Sequence, residues 1–165
     1  MAILPPDAHH LGDIEAIKQL KAAYFRCIDD KDWEGLAKLF IDDAELDGGR
    51  GPRRGSEAIV TMIAAALEDV ISAHHGHMPE ISVSSDGHHA LGTWSMEDVL
   101  EWPTASESVG APVGFRGYGR YDETYIKGND GHWRFRTIVL RRIRIDPFAG
   151  GERPPRSAPP VSPSP

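Results

Sequence analysis

About seventy residues in, the apolar side chains of this 165-residue chain stop recurring every three or four positions and begin to alternate. A period of 3.6 buries one face of a helix and a period of two buries one face of a strand, so the chain reads as helices first and a sheet afterwards. From Asp13, the residues Ile14, Ile17, Leu20, Tyr24, Cys27 and Ile28 mark a first helix, closed by Asp29-Asp30-Lys31-Asp32. Asp32 is placed to cap a short second helix carrying Trp33, Leu36, Leu39 and Phe40. Residues 44–46 read as a short strand, residues 48–55, rich in Gly and Arg, as a loop, and Ser56 as the cap of a third helix over residues 57–68.

Beyond Val70, Ile81 and Val83 alternate with polar neighbours and run into the turn Ser84-Ser85-Asp86-Gly87. Residues 90–102, 113–126 and 133–145 are the strands that follow, the last two separated by Lys127-Gly128-Asn129-Asp130-Gly131. Successive strands joined by short turns pair antiparallel, which predicts an α+β class rather than βαβ winding. The predicted organisation is a flexible N-terminus over residues 1–9, one domain over residues 10–147, and a Pro-rich tail over residues 148–165 that lacks the apolar surface to offset its ordering entropy.

Composition removes several function classes. A net charge of -7 offers no general attraction to phosphates, and the basic residues are scattered apart from Arg141, Arg142 and Arg144, so no nucleic acid partner is expected. The single Cys27 lies on an apolar helix face, where it cannot form an internal disulfide and is too enclosed for a reactive thiol. No run of 18 apolar residues exists and the opening Met-Ala-Ile-Leu-Pro-Pro-Asp is too short for an export signal; the expectation is a cytoplasmic protein with no membrane partner.

Three groups of residues could carry chemistry. Tyr24 sits on the buried face of the first helix, five residues before Asp29 at its end; either could equally be core or turn chemistry. His74-His75-Gly76-His77 enters a strand, where alternation puts His75 and His77 on one face and His74 on the other unless a bulge intervenes. Imidazole takes and returns a proton near neutral pH. His-x-His also suits a metal, but no Cys or clear third ligand accompanies it, so no metal is expected. In Thr93-Trp94-Ser95-Met96-Glu97-Asp98, period two places Trp94, Met96 and Asp98 on one face, and an Asp among such neighbours needs a partner, either a histidine or hydrogen-bond donors at a pocket wall.

Taken together, Tyr24-x4-Asp29-x2-Asp32-Trp33, Leu39-Phe40, Asp43-Ala44, His74-His75-Gly76-His77-Met78-Pro79-Glu80-Ile81, Gly92-x-Trp94-x-Met96-x-Asp98, Tyr118-Gly119-Arg120-Tyr121-x-Glu123-Thr124-Tyr125 and Gly131-x-Trp133-Arg134-Phe135 resemble the SnoaL-like branch of the nuclear transport factor 2-like superfamily. The resemblance implies a cone-shaped α+β barrel, with N-terminal helices on a highly curved, mostly antiparallel sheet around one deep pocket. It implies relatives among bile-acid dehydratases, scytalone dehydratase, hexachlorocyclohexane dehydrochlorinase and polyketide cyclases, most of them without a cofactor. Carried over by position, Tyr24, Asp29, His74 and Asp98 match the catalytic tyrosine, helix-end aspartate, general-base histidine and facing aspartate, with His75 as the alternative register for His74. His75, His77, Trp94, Met96, Tyr118, Arg120 and Tyr121 are the expected substrate-binding positions. Relatives have His where this chain has Arg120 and Asp122, and the last-strand arginine of bile-acid dehydratases appears as Val139, which argues against bile-acid dehydration specifically.

The implied activity is cofactor-independent dehydration, elimination or isomerisation of a hydrophobic steroid-, polyketide- or aromatic-type molecule, by a lyase or isomerase that forms a homodimer or other small homo-oligomer. Two alternatives use the same residues: a carbon–carbon lyase or cyclase acting on aromatic substrates, and a non-catalytic binding or assembly module in which the polar cluster is structural.

Overall fold

The computed structural model describes residues 8–102 and 113–149. The expectations for the two termini therefore fall largely outside the described residues. After a short 3-10 turn (Ala8–His10), α1 spans Leu11–Asp30 and buries Ile17, Leu20, Lys21, Tyr24, Phe25, Cys27 and Ile28 along one stripe. It ends at Lys31, whose left-handed backbone turns the chain and lets its N–H reach the carbonyls of Cys27 and Ile28. Asp32 then caps α2 (Trp33–Ala37), accepting from the Gly35 N–H at 2.8 Å.

Three local expectations are corrected here. The second helix stops at Ala37, because Phe40 opens a strand: β1 runs over Phe40–Asp47, and the Leu39 carbonyl accepts from the Phe135 N–H at 2.8 Å. The loop after it contains a strand, β2 (Pro52–Arg54), since the Asp47 carboxylate gathers the N–H groups of Gly49 and Gly51 and folds the chain back. Ser56 is not a cap; it is the first residue of α3 (Ser56–Leu67), which Gly55 precedes at a φ of 94° with no side-chain cap bond.

The four remaining strands, β3 (Ile71–Val83), β4 (His89–Glu101), β5 (Gly114–Lys127) and β6 (Trp133–Phe148), form the antiparallel meander. The sheet order is β2-β1-β6-β5-β4-β3, with only the β1–β6 pair parallel, and the sheet curls strongly without closing. The architecture is the α+β cone, with α1 against β3 and β6 on the concave side.

Three bulges decide which residues face inward. Between Gly76 and Pro79 the inner set of β3 passes from even positions (Ser72, His74, Gly76) to odd ones (Pro79, Ile81, Val83). On β6 a shift opposite Thr124/Tyr125 moves the inner set from Trp133 and Phe135 to Ile138, Leu140 and Arg142, and a second shift opposite Tyr118/Gly119 moves it again. Inner-face glycines leave room for large neighbours. A Cβ on Gly76 would lie 2.7 Å from the Phe25 ring, one on Gly92 would lie 2.7 Å from the Tyr125 hydroxyl, and one on Gly117 would lie 1.9 Å from Arg142 Nη1. The core that results is aromatic: Tyr24 meets Phe25, Phe40, Tyr121 and Phe135 edge-on at centroid distances of 5.3 to 6.3 Å.

Candidate active site

One cluster of polar side chains draws on five elements of the cone. α1 supplies Tyr24 and Asp29, β3 supplies Ser72 and His74, β4 supplies Asp98, β5 supplies Tyr121 and β6 supplies Arg142. Pairing puts His74 opposite Asp98 and Asp98 opposite Gly117. Asp29, one turn beyond Tyr24 and Phe25, reaches across to the first residues of β3.

His74 is held from three sides. Its Nδ1 lies 2.7 Å from Asp29 Oδ1, its backbone N–H donates to Asp29 Oδ2 at 2.9 Å, and its ring stacks on Phe25 at 5.9 Å with an interplanar angle of 11°. Only 6% of the side chain is exposed. A carboxylate can only accept, so Nδ1 carries a proton and Nε2 points at Asp98, 4.0 Å from Oδ2. Burial acts to raise the Asp29 carboxyl, but the hydrogen bonds from the His74 ring, the His74 N–H and Ser72 outweigh it and hold the group below the usual carboxylate range.

Asp98 is 1% exposed and makes a two-pronged ion pair with Arg142, at 2.6 Å from Nη1 to Oδ1 and 2.5 Å from Nη2 to Oδ2. Such a charge is tolerable in the interior only with a partner of this geometry. Gly117 makes the pair possible, since a Cβ there would also lie 2.3 Å from Asp98 Oδ1.

Burial, then Glu123 and Asp98, pushes the Tyr24 phenol well above its ordinary value; burial and nearby Tyr24, Asp98 and Glu123 do the same for Tyr121. Both therefore stay protonated and able to donate. Neither hydroxyl bonds to another group among the described residues, yet no buried side-chain polar atom there lacks a partner. The two hydroxyls thus lie on the small part of each residue that remains open.

Below these phenols sits a second polar layer that the sequence reading missed. Lys21 and Glu123, both almost fully buried, form an ion pair; Glu123 also accepts from the Tyr125 hydroxyl, which accepts from Trp94 Nε1 at 2.9 Å. The Lys21 ammonium lies 3.5 Å from the Tyr121 ring centroid and 4.6 Å from that of Tyr24. Burial lowers the Lys21 ammonium while Glu123 opposes the shift.

Tyr24, Asp29, His74, Asp98 and Tyr121 are thus brought together, with Trp94 and Met96 on the same inner face. Four expected substrate-binding residues are not. His75 and His77 are exposed on β3, because the bulge after Gly76 turns His74 inward instead. Tyr118 and Arg120 lie at outward positions of β5, where Arg120 pairs with Asp122 at 3.2 Å and Tyr118 lines a surface groove of about 500 Å³ with Val99, Glu101 and Arg116. Among the described residues no three His, Cys, Asp or Glu side chains are grouped to hold a metal. A second groove of about 340 Å³, lined by Ser82, Leu91, Thr124 and Arg136 among others, also excludes the cluster. Asp29 and Arg142, each with 24% of its side chain exposed, are where the cluster meets solvent. Val139 pairs with Asp122 on the outer face, and the last-strand residue that reaches Asp98 is Arg142. For Lys21 a signal was present, since it continues the buried spacing Ile17, Lys21, Tyr24, Ile28; for Arg142 strict alternation pointed the wrong way.

A family comparison matches residues 9–139 to the SnoaL-like domain. The chain belongs to the SnoaL-like domain family. This SnoaL-like protein shares its fold with a protein provisionally named a scytalone dehydratase from Novosphingobium aromaticivorans, at 20% identity and a TM-score of 0.73, over 94% of this chain and 97% of that one. It also aligns with a type 2 hexachlorocyclohexane dehydrochlorinase at 20% identity and a TM-score of 0.74, covering 90% and 97% of the two chains. A protein of unknown function from Mycobacterium tuberculosis aligns at 27% identity and a TM-score of 0.66, over 80% and 77%. Among the described residues, no helix is long and apolar enough to cross a membrane.

Proposed function

We propose that this SnoaL-like protein is a cofactor-independent lyase or isomerase in which His74 removes a proton from a carbon beside a carbonyl of a hydrophobic, ring-bearing substrate. The observation that carries the reading is the His74 imidazole, fixed through Nδ1 by Asp29 with Nε2 turned to Asp98, whose charge also acts on the Tyr24 and Tyr121 phenols. In a dehydration, Nε2 takes the proton as the C–H bond breaks, the electron pair is delocalised onto the carbonyl as an enolate, and it forms the new C=C bond only as the C–O bond to the leaving hydroxyl breaks. The Tyr24 hydroxyl donates to the carbonyl oxygen as charge gathers there. The C–O bond then breaks and the imidazolium returns its proton to the departing hydroxyl, which leaves as water. Return of the proton to a different carbon instead gives isomerisation. Asp29 and Asp98 flank the transient imidazolium, and Arg142 balances Asp98 in the resting state. The dehydratase and dehydrochlorinase names among the structural neighbours support an elimination.

The test is turnover of steroid enones, polyketide-like hydroxyketones and lignin-type diaryl compounds, together with thermal shift, for the wild type, His74→Ala and Asp29→Asn. Positioned acid–base groups contribute about 10² to 10⁴ in rate, so each variant should bind the substrate and lose at least a hundredfold in turnover. Equal binding by all three proteins with no turnover would replace the enzyme by a binding module, a reading favoured by the ion pairing of Asp98 with Arg142 and of Lys21 with Glu123 inside the cluster. Release of a one-carbon aldehyde would direct it to carbon–carbon cleavage.

A further inference from the structure

The cap of α1 holds the one non-glycine residue of the described chain with a left-handed backbone, Lys31 at a φ of 63°. Glycine takes this conformation without a Cβ clash, whereas an L side chain does not, so a lysine here invites the question of what its side chain does. Nζ donates to Ser72 Oγ at 3.1 Å, and that hydroxyl donates to Asp29 Oδ1 at 2.8 Å, the oxygen that also receives His74 Nδ1–H. An ammonium has only protons to offer, so Lys31 occupies a lone pair of the Ser72 hydroxyl and commits its single proton to Asp29. The direction of the chain is thereby fixed.

On its Nε2 side, His74 faces Asp98 from β4, which is neutralised by Arg142 from β6. On its Nδ1 side it faces Asp29, with Lys31 behind Ser72. We propose that Lys31 and Ser72 are positioning residues that neutralise Asp29 as Arg142 neutralises Asp98, so that the imidazole lies between two balanced carboxylates. This rests on reading His74 as the base and goes beyond it by assigning what balances the charge on Asp29. The other ionisable groups around this pair are Tyr24 on α1 and Tyr121 on β5, both held protonated, and Glu68 at the end of α3, whose charge acts on Lys31. Burial draws the Lys31 ammonium down while Asp29 and Glu68 resist the shift. Ser72 supplies the geometry: without its hydroxyl, Asp29 Oδ1 loses a donor and is free to rotate away from Nδ1.

The experiment is ¹⁵N NMR of the histidine side chains in the full chain without ligand, with His74 assigned by its absence in His74→Gln. Bonds of 3.1, 2.8 and 2.7 Å keep the Lys31 charge within about 8.6 Å of Nδ1, so its removal, at an effective dielectric of about 40 to 80, moves the His74 titration midpoint up by at least about 0.4 to 0.7 pH unit. Lys31→Met and Lys31→Gly should both show this rise, Lys31→Arg should restore the wild-type midpoint, and Ser72→Ala should broaden or exchange the Nδ1–H signal. Lys31→Gly also relieves the cap, so its Tm should equal or exceed that of the wild type while its titration shifts, which a purely structural lysine would not produce. A midpoint unchanged within about 0.2 unit in both Lys31→Met and Lys31→Gly overturns the proposal. If Lys31→Met fails to fold, the glycine variant, compatible with the cap, decides. The readout needs no substrate, so failure of the charge coupling and failure of turnover are read separately: an unchanged midpoint overturns this proposal alone, and absent turnover with a shifted midpoint removes the enzymatic role on which it rests.

Discussion

Replacing Glu123 by Gln removes the counter-ion of a lysine that is 1% exposed while preserving volume and an acceptor for the Tyr125 hydroxyl. Lys21 cannot swing to solvent, because it is enclosed by the rings of Tyr24, Phe25, Tyr121 and Phe135. It can, however, release its proton. Starting from an ordinary lysine value of about 10.4, neutralising the amine at pH 7 costs about 4.6 kcal/mol, which caps the destabilisation and agrees with the 3–5 kcal/mol typical of a broken buried pair. The sign of the pH dependence follows. In the variant the folded-state lysine value lies below the unfolded one, so the unfolded chain binds more protons and stability rises with pH until the unfolded lysine itself titrates. The deficit should shrink by about 1.4 kcal/mol per pH unit, to about 2 kcal/mol at pH 9. Urea melts of wild type and variant at pH 7, 8 and 9 read this directly, with an unchanged m-value as the check that the same surface unfolds. A deficit below about 1 kcal/mol at pH 7, or one that stays constant to pH 9, would refute the picture of an enclosed ammonium dependent on Glu123.

Other outcomes follow from single contacts. Gly117→Ala should force Arg142 off Asp98, lowering Tm by several degrees and reducing any turnover, whereas Gly131→Ala, at a surface turn, should leave turnover alone; calorimetry and activity assays compare them. Asp13 is held below the usual carboxylate range, chiefly by its hydrogen bond from Lys127 and despite burial, with Trp133 adding a second donor. Its contribution to stability is present above the unfolded value and is lost as pH falls through the lower folded one, so Asp13→Asn should be less stable at pH 7 and lose less than wild type in acid melts between pH 5 and 2. Asp32→Ala removes the α2 cap and should cost about 1 kcal/mol in urea melts with the m-value preserved.

The sequence by itself determined the order of elements, the α+β class, the buried stripe of α1 and the shared inner face of Trp94, Met96 and Asp98. These depend on periods of 3.6 and two within single unbroken elements, where each residue's direction follows from its neighbour's. It also brought out Tyr24, Asp29 and His74, residue types whose chemistry is visible wherever they fall. Only the tertiary structure decided that His74 rather than His75 turns inward, that Arg142 is the partner of Asp98, and that Tyr118 and Arg120 face out. The reason is the same for His74 and Arg142: a bulge inserts a residue into one strand and flips every later side chain to the opposite face, and it is placed by pairing with the neighbouring strand rather than by the local sequence. Lys21 and Glu123 escaped for a related cause, because a buried charge is legible only when its partner is known, and 102 positions separate these two.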